Sequence, residues 1–412
     1  MENQNSIIEE SIERCLLPKL AKAIDESEEH TEFDIRENKL NIHFPVLIKT
    51  LSGLDFRSDT DIASISLPKL IILDLELQSS GPWFRDKCKE CSSQLNQAFD
   101  MKYGSNLCNL LESNKIFNPQ LLFDNIIDDI HKKLTSKTFK NYPALIEVYC
   151  KLLNGVKNYK IKLNPLSVLP ISLLLVEDYN MGNKIKGLKC CLEVLQCLTS
   201  SDFSQGNYYE VIYGSLKKCL VEKDIEVTKL TLPCLLKLLS MLPSDIKVTK
   251  TDEIYKTILD QMHTESNLYR KAVCFNFTRQ MIEMHGVHCI KRKLFKSVVC
   301  DALDVCSNEA VAEIMLQDVL ECLSVWLKHC WCVWRLASDQ KMLSLLLKIL
   351  FVTSEADTTV TVLLNLVLTM VQLCTKEEQL QICKNMESFT ATHKSNQSFL
   401  NNLEIIKKGI CV

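Results

Sequence analysis

The sequence is short of turn-forming residues, with only 10 glycines and 10 prolines among 412 positions. A β-rich or α/β chain of this length normally needs many more, so helices are the expected element. It also lacks a long hydrophobic run. The longest apolar stretch, TVLLNLVLTMVQL at 361–373, is too short to span a bilayer and is broken by Asn365 and Gln372. There is no excess of either charge. A formal net charge of −3 and a pI near 6.3 demand neither nucleic acid nor an anionic membrane as partner. The opening residues, MENQNSIIEESIERCLL, are acidic and polar and predict no secretory signal. Cysteine, by contrast, is plentiful at 20 residues. Most sit in apolar helical stretches, as do Cys190, Cys191, Cys219, Cys234, Cys274, Cys300, Cys322 and Cys374, where a free thiol acts as a small buried hydrophobe. This usage predicts a reducing, cytoplasmic or nuclear compartment.

The residue patterns of catalysis are missing as well. ISLLLVED, 171–178, resembles a Mg²⁺-binding strand, but such a strand needs a GxxxxGK[ST] phosphate loop and the sequence has none. No Ser sits in a Gly-bounded elbow, and no nucleophile, base and orienting group occur together. Cys88 and Cys91 form a lone CxxC with no second ligand pair at zinc spacing, which predicts two cysteines on one helix face. His285-Gly286-Val287-His288-Cys289 predicts a turn between helices, with Gly286 as the stop. No cofactor and no enzymatic activity are expected.

Apolar spacing predicts helices over 6–24, 38–52, 67–78, 82–101, 118–134 and 141–155, with an acidic linker at 25–34 and a loop at 54–65. From about 165 the pattern becomes regular. Segments beginning at 183, 225, 266, 308 and 359 recur at intervals of about 42, 41, 42 and 51 residues. That period is the one expected of HEAT or armadillo units, each too small to bury its apolar stripe without stacking on a neighbour. The expected fold is all-α, a solenoid of stacked antiparallel helix pairs over 161–412, preceded by a less regular helical region over 1–160.

LPISLLLVEDYNMGNKIKG, 169–187, then reads as a helical elbow. Pro165 and Pro170 suit a helix start. Glu177, Asp178 and Asn180 fall in the turn, where Asp and Asn accept from the free N–H groups of the next helix. Lys184 and Lys186 are placed within reach of Glu177 or Asp178. Gly187 permits close helix approach despite a propensity penalty of about 1 kcal/mol.

The ordered series of segments carries a resemblance. P-x-x-x-L-x-x-x-D-Y followed by K-x-x-G-x-x-x-C-L, then YYEVIYGSLKKCL (208–220), LPCLLKLLSML (232–242), LYRKAVCFNFTRQMIEMHGVHCIKRKLFKSVVCDALDV (268–305) and VLECLSVWLKHCWCVWRL (319–336), resembles the Tel-two-interacting protein two family. It covers about 165–375, with PKLIILDLELQ (68–78) as a weaker part before it, and departs where Glu177 replaces the first Asp of an acidic pair. The family supplies the smallest subunit of the Triple-T (TTT) co-chaperone complex. The resemblance implies a non-enzymatic scaffold joined to two larger helical-repeat subunits. With the ninety-kilodalton heat-shock chaperone, that complex supports maturation of phosphatidylinositol-kinase-related kinases, which serve the DNA-damage response, telomere maintenance and TOR signalling. A HEAT adaptor of another assembly, such as transport or phosphatase regulation, is the alternative. For partner contact the candidates are Lys291, Arg292, Lys293 and Lys296, which could steer an acidic partner. Trp331 and Trp334 join them, since Trp is enriched at interface hot spots.

Overall fold

A computed structural model describes residues 2–26, 29–112, 116–203, 208–334, 340–353, 358–392 and 397–410. Residues 27–28 of the acidic stretch and Arg335 and Leu336 of the tryptophan segment lie outside the described residues. Among the described residues there are eighteen α-helices, joined by turns and short 3-10 segments, and no strand. The chain divides into two compact units, Met1–Ser215 and Leu216–Val412. The sequence pattern changes character near 160, within the first unit.

The first unit contains α1 (Glu2–Cys15), α2 (Thr31–Gly53), α3 (Thr60–Leu77), α4 (Asp86–Tyr103), α5 (Pro119–Lys133), α6 (Pro143–Asn154), α7 (Pro165–Val176) and α8 (Met181–Cys197). The division falls within α9 (Tyr208–Cys219). Helix α3 is the unit's centre, packed on α1, α4, α5 and α6. Leu67, Leu70, Ile71, Leu73 and Leu77 are fully buried along it.

Three expectations are corrected here. The helix expected over 6–24 stops at Cys15. Pro18 disfavours helix in the residue before it, and the freed backbone N–H groups bond elsewhere: Leu17 to Glu76 Oε1 at 2.7 Å, Leu20 to Asn141 O at 2.9 Å and Ala21 to Glu32 Oε1 at 2.6 Å. The acidic linker ends early because α2 begins at Thr31. Its acids Glu32 and Asp34 occupy the first turn, where the positive end of the helix favours them. The loop expected over 54–65 gives way to α3 at Thr60, capped by Asp59, whose carboxylate accepts from Ile62 N at 3.1 Å.

The apolar run of α3 carries two buried acids. Glu76 pairs with buried Arg36 at 2.8 Å, and burial pushes its carboxyl up against the opposing pull of Arg36. Asp74 accepts from Ser92 at 2.8 Å, Asn96 at 2.7 Å and Gln78 at 2.9 Å. These bonds replace the water that each charge loses on burial.

The second unit holds α10 (Ile225–Met241), α11 (Ser244–Thr264), α12 (Leu268–His285), α13 (Leu294–Val305), α14 (Glu309–Cys330), α15 (Lys341–Val352), α16 (Thr358–Gln372), α17 (Lys376–Thr392) and α18 (Gln397–Ile410). Alternate helices stack: α10 on α12, α12 on α14, α14 on α16 and α16 on α18 form one layer, and α11 on α13 and α13 on α15 form another. The segments at 225–242, 266–284, 308–330 and 359–374 are thus α10, α12, α14 and α16, all of one layer. Asp224, Asn267 and Asn308 cap the first three by accepting from backbone N–H groups at 2.9–3.1 Å.

Prolines mark helices more loosely than their usual place at the first turn. Pro119, Pro143 and Pro165 do open helices, while Pro45, Pro68, Pro170 and Pro233 lie inside them. Tertiary packing of the buried faces of such helices outweighs one missing hydrogen bond.

Candidate interaction surface

The link between α12 and α13 is built by a turn that only glycine accommodates easily. Gly286 adopts φ 58°, a conformation that L side chains rarely enter. It leads into a 3-10 segment, Gly286–Lys291, that carries the basic residues. Arg292 folds back onto α11, where its Nε donates to Asp252 Oδ1 at 3.0 Å and its Nη2 to Oδ2. Burial opposes the Asp252 charge, but the bonds and charge of Arg292 outweigh it and hold the carboxyl below its usual range. His285 is buried beside the same carboxylate, with Nε2 3.7 Å from Asp252 Oδ1. Burial pushes its pKa below the ordinary value of 6.5, more than Asp252 raises it.

Helix α14 delivers the tryptophans. Trp326 stacks on Phe295 of α13, with ring centroids 5.0 Å apart. At the end of α14, a 3-10 turn over Trp331–Val333 sends the last two rings to opposite fates. Trp331 is 56% exposed and Trp334 only 5%. The backbone oxygen of Trp334 accepts from Lys296 Nζ at 3.1 Å.

These elements enclose a cavity of about 500 Å³. Arg292, Lys293, Lys296 and Lys341 line it, together with Trp326 and Trp334, and no carboxylate lines it among the described residues. Of the six candidates, four therefore meet in one place. Lys291 is exposed outside it. Trp331 faces a different groove, of about 570 Å³, between α14 and α16, lined by Leu327, Leu366 and Thr369 among others.

A further groove of about 610 Å³ runs between α10 and α12 over Leu232, Leu236, Val273 and Phe277. Tyr269, 63% exposed, stands on it. The sequence expectations missed this residue. Its signal was an aromatic ring at the first turn of α12, away from that helix's apolar stripe.

The residues of the elbow lie in the first unit. Asn180 caps α8 by accepting from Asn183 N at 3.2 Å. Asp178 is held by Lys140 at 3.0 Å and by Asn183 Nδ2 at 2.7 Å. Those bonds outweigh burial and lower its pKa. Glu177 accepts from Ser215 Oγ at 2.9 Å. Lys186 pairs with Glu147 of α6, not with the turn acids, because the helix directs it toward its packing neighbour. Lys184 is half-buried in the first turn of α8. Gly187 lies against α7, and a Cβ there would stand 2.6 Å from Val176 N and 2.7 Å from Ser172 O. Lys140 Nζ also sits 3.5 Å above the Tyr179 ring, whose hydroxyl donates to Asp25 at 2.9 Å.

Cys88 and Cys91 share the buried face of α4, and burial pushes the Cys91 thiol up to about 11. Among the described residues, no group of three His, Cys, Asp or Glu side chains is arranged to hold a metal. No helix of the described residues is long and apolar enough to cross a membrane. The geometry offers grooves and a charged cavity, which are means of recognition.

Comparison with known proteins gives these surfaces a context. No protein-family model matches the chain. Human TELO2-interacting protein 2 is 25% identical to it over 207 residues, covering 48% of this chain and 40% of the human protein. The chain is similar to TELO2-interacting protein 2. The rat protein of that name is 22% identical over 343 residues, 79% of this chain and 65% of the rat protein. The mouse protein matches over 207 residues at 25%. The matches thus span roughly two fifths to two thirds of these relatives' own length. Among solved structures, a chain from the Kap95p–RanGDP structure superposes over 97% of this chain and 46% of its own length, with a TM-score of 0.52 at 12% identity. That likeness concerns the fold alone, which is an all-α, HEAT-like solenoid.

Proposed function

We propose that this chain is a non-enzymatic scaffold subunit of the TTT co-chaperone, joined to two larger helical-repeat subunits. The observation that carries the proposal is the similarity to TELO2-interacting protein 2 along a helical-repeat fold. The name of those relatives describes association with TELO2, and a stacked-helix surface with open grooves suits such a task. Through that complex the chain supports maturation and stability of phosphatidylinositol-kinase-related kinases, in concert with the ninety-kilodalton heat-shock chaperone. Its compartment is the cytoplasm, with access to the nucleus. The many buried thiols, Cys190, Cys234 and Cys322 among them, are consistent with a reducing one.

Affinity purification of the tagged chain from its own cells, with quantitative mass spectrometry, tests this. Near-stoichiometric recovery of two large helical-repeat proteins, with smaller amounts of giant kinases, is the expected result. Recovery of transport or phosphatase components in their place would assign the scaffold to a different assembly.

A further inference from the structure

The groove between α10 and α12 has the dimensions of a helix. Ile225, Lys229, Leu232 and Leu236 line its α10 wall, and Tyr269, Val273, Asn276 and Gln280 its α12 wall. Both series step i, i+4, i+7, i+11, so each wall runs about 16 Å, or three helical turns. Leu232 and Phe277 are buried, Val273 and Leu236 are half-buried, and Tyr269 stands exposed at one end.

One acid from α14 enters this lining. Asp318 is half-buried, and its carboxylate accepts one long bond, from Asn276 Nδ2 at 3.4 Å. Asn276 in turn accepts from Gln280 at 2.9 Å. Arg279 pulls weakly on Asp318 but pairs with Glu283 at 3.7 Å and Glu321 at 3.6 Å. The groove's own lysine, Lys229, pairs with Glu226 along α10 at 2.9 Å. Among the described residues no cation forms an ion pair with Asp318, and burial pushes its carboxyl above the usual range.

We infer that this groove is a docking site for one amphipathic helix of a partner protein, which lays an apolar stripe over Leu232, Leu236, Val273 and Phe277 and turns an Arg or Lys to Asp318. The inference deepens the reading of the chain as an interaction scaffold and rests on it. Charge complementarity is the first support, since a carboxylate without a cation in an apolar groove favours a basic group on the occupant. The length is the second, because three turns match the span over which a helix presents anchors at i, i+3 or i+4, and i+7. A nucleic acid is disfavoured, because Asp318 repels phosphate.

The test places a photocrosslinker in the full chain in its own cells, as Tyr269→p-benzoylphenylalanine, with the same group at exposed Lys189 of the first unit as control. Mass spectrometry then identifies the crosslinked peptide. Along α12, Asn276 lies about 10 Å from Tyr269. The expected peptide therefore carries a helical apolar stripe with an Arg or Lys about two turns from the crosslinked position. Synthesised alone, it should bind the full chain. Asp318→Asn should weaken that binding at least about tenfold. A peptide with Gln in place of the base should bind the two chains equally, because the variant then removes nothing more. Tyr269→Ala, at an exposed position, should also weaken the peptide while circular dichroism stays native. A crosslink to a second copy of this chain, to RNA, or to a segment without the stripe and the base would overturn the inference. So would no crosslink above the Lys189 control, or equal weakening of both peptides by Asp318→Asn. A patterned helix from a protein outside the TTT complex would support the docking site and count against the TTT proposal. Recovery of the TTT subunits without such a helix would do the reverse.

Discussion

Gly187 and Ser172 are pressed together, with the space for a Cβ at Gly187 only 2.7 Å from the Ser172 carbonyl oxygen and 2.6 Å from Val176 N. Both obstacles are backbone, so neither yields cheaply. In an open helix, Gly→Ala stabilises by about 1 kcal/mol. Here the overpacking, typically about 1–3 kcal/mol, should exceed that gain. Gly187→Ala is therefore expected to destabilise, and a raised urea midpoint would contradict the close approach of α7 and α8.

Arg270 of the second unit is held by five side-chain hydrogen bonds. Its guanidinium donates to Thr228 at 3.0 Å, to the carbonyls of Leu220 at 3.3 Å and Glu222 at 3.1 Å, to Gln261 at 2.9 Å, and to Glu265. Arg270→Ala leaves Glu265, with its side chain 6% exposed, without its cation. The expected loss is about 3–5 kcal/mol, measured by chemical denaturation. Arg270→Lys keeps the charge without the fork and should recover only part of it.

His285 gives the chain a pH dependence of definite sign. Its folded pKa lies below 6.5 because burial disfavours the cation, in spite of Asp252, and His288 and Lys291 add to the depression. As pH falls through 6.5, the unfolded chain takes up the proton first, so stability falls with it. The lowered pKa of Asp252 adds a further loss at more acid pH, below its ordinary value of 3.8. A His285→Gln variant should show a flatter stability profile between neutral pH and the folded pKa of His285. An unchanged slope there would remove His285 as the cause.

The thiols should sort by burial. Cys197 and Cys332 are exposed, whereas Cys88 and Cys91 are buried and the Cys91 thiol is raised to about 11. Brief alkylation of the native chain, mapped by mass spectrometry, is expected to modify Cys197 and Cys332 and spare the CxxC pair until denaturant is added. Early labelling of Cys91 would show that α4 is not packed as described.

Tyr269 and Trp331 stand exposed on the two grooves of the α10–α16 layer. Alanine at either position should change stability by no more than about 0.5 kcal/mol, as for ordinary surface positions. If these grooves seat the proposed subunits, recovery of those subunits should fall in the same variants. Native recovery with both rings removed would direct the interface elsewhere.

Much of this was legible in the residues. Asn180 announces a helix start because a short acceptor side chain satisfies free N–H groups of the first turn, and the structure adds Asp224, Asn267 and Asn308 as caps of the same kind. The repeat was visible through α10, α12, α14 and α16, whose strongly apolar faces pack along one layer. Helix α11 was not found, because its polar stretch SDIKVTKTDE masks the stripe of Ile254, Tyr255, Ile258 and Leu259. The stop of α1 was missed for another reason. Pro18 is a local sign of it, but the non-helical path of Leu17, Leu20 and Ala21 is held by partners on Glu76, Asn141 and Glu32, which are distant in sequence.

The sequence by itself determined the fold class and the period of the repeat, because apolar spacing and turn composition act over a few residues. Only the tertiary structure decided what the charges and rings do. It gave Lys186 to Glu147 and Lys140 to Asp178, buried Trp334 while exposing Trp331, and drew Lys341 beside Lys293 and Lys296. Those outcomes depend on which helices stack on which, and stacking is set by the whole packed layer and not by any one segment.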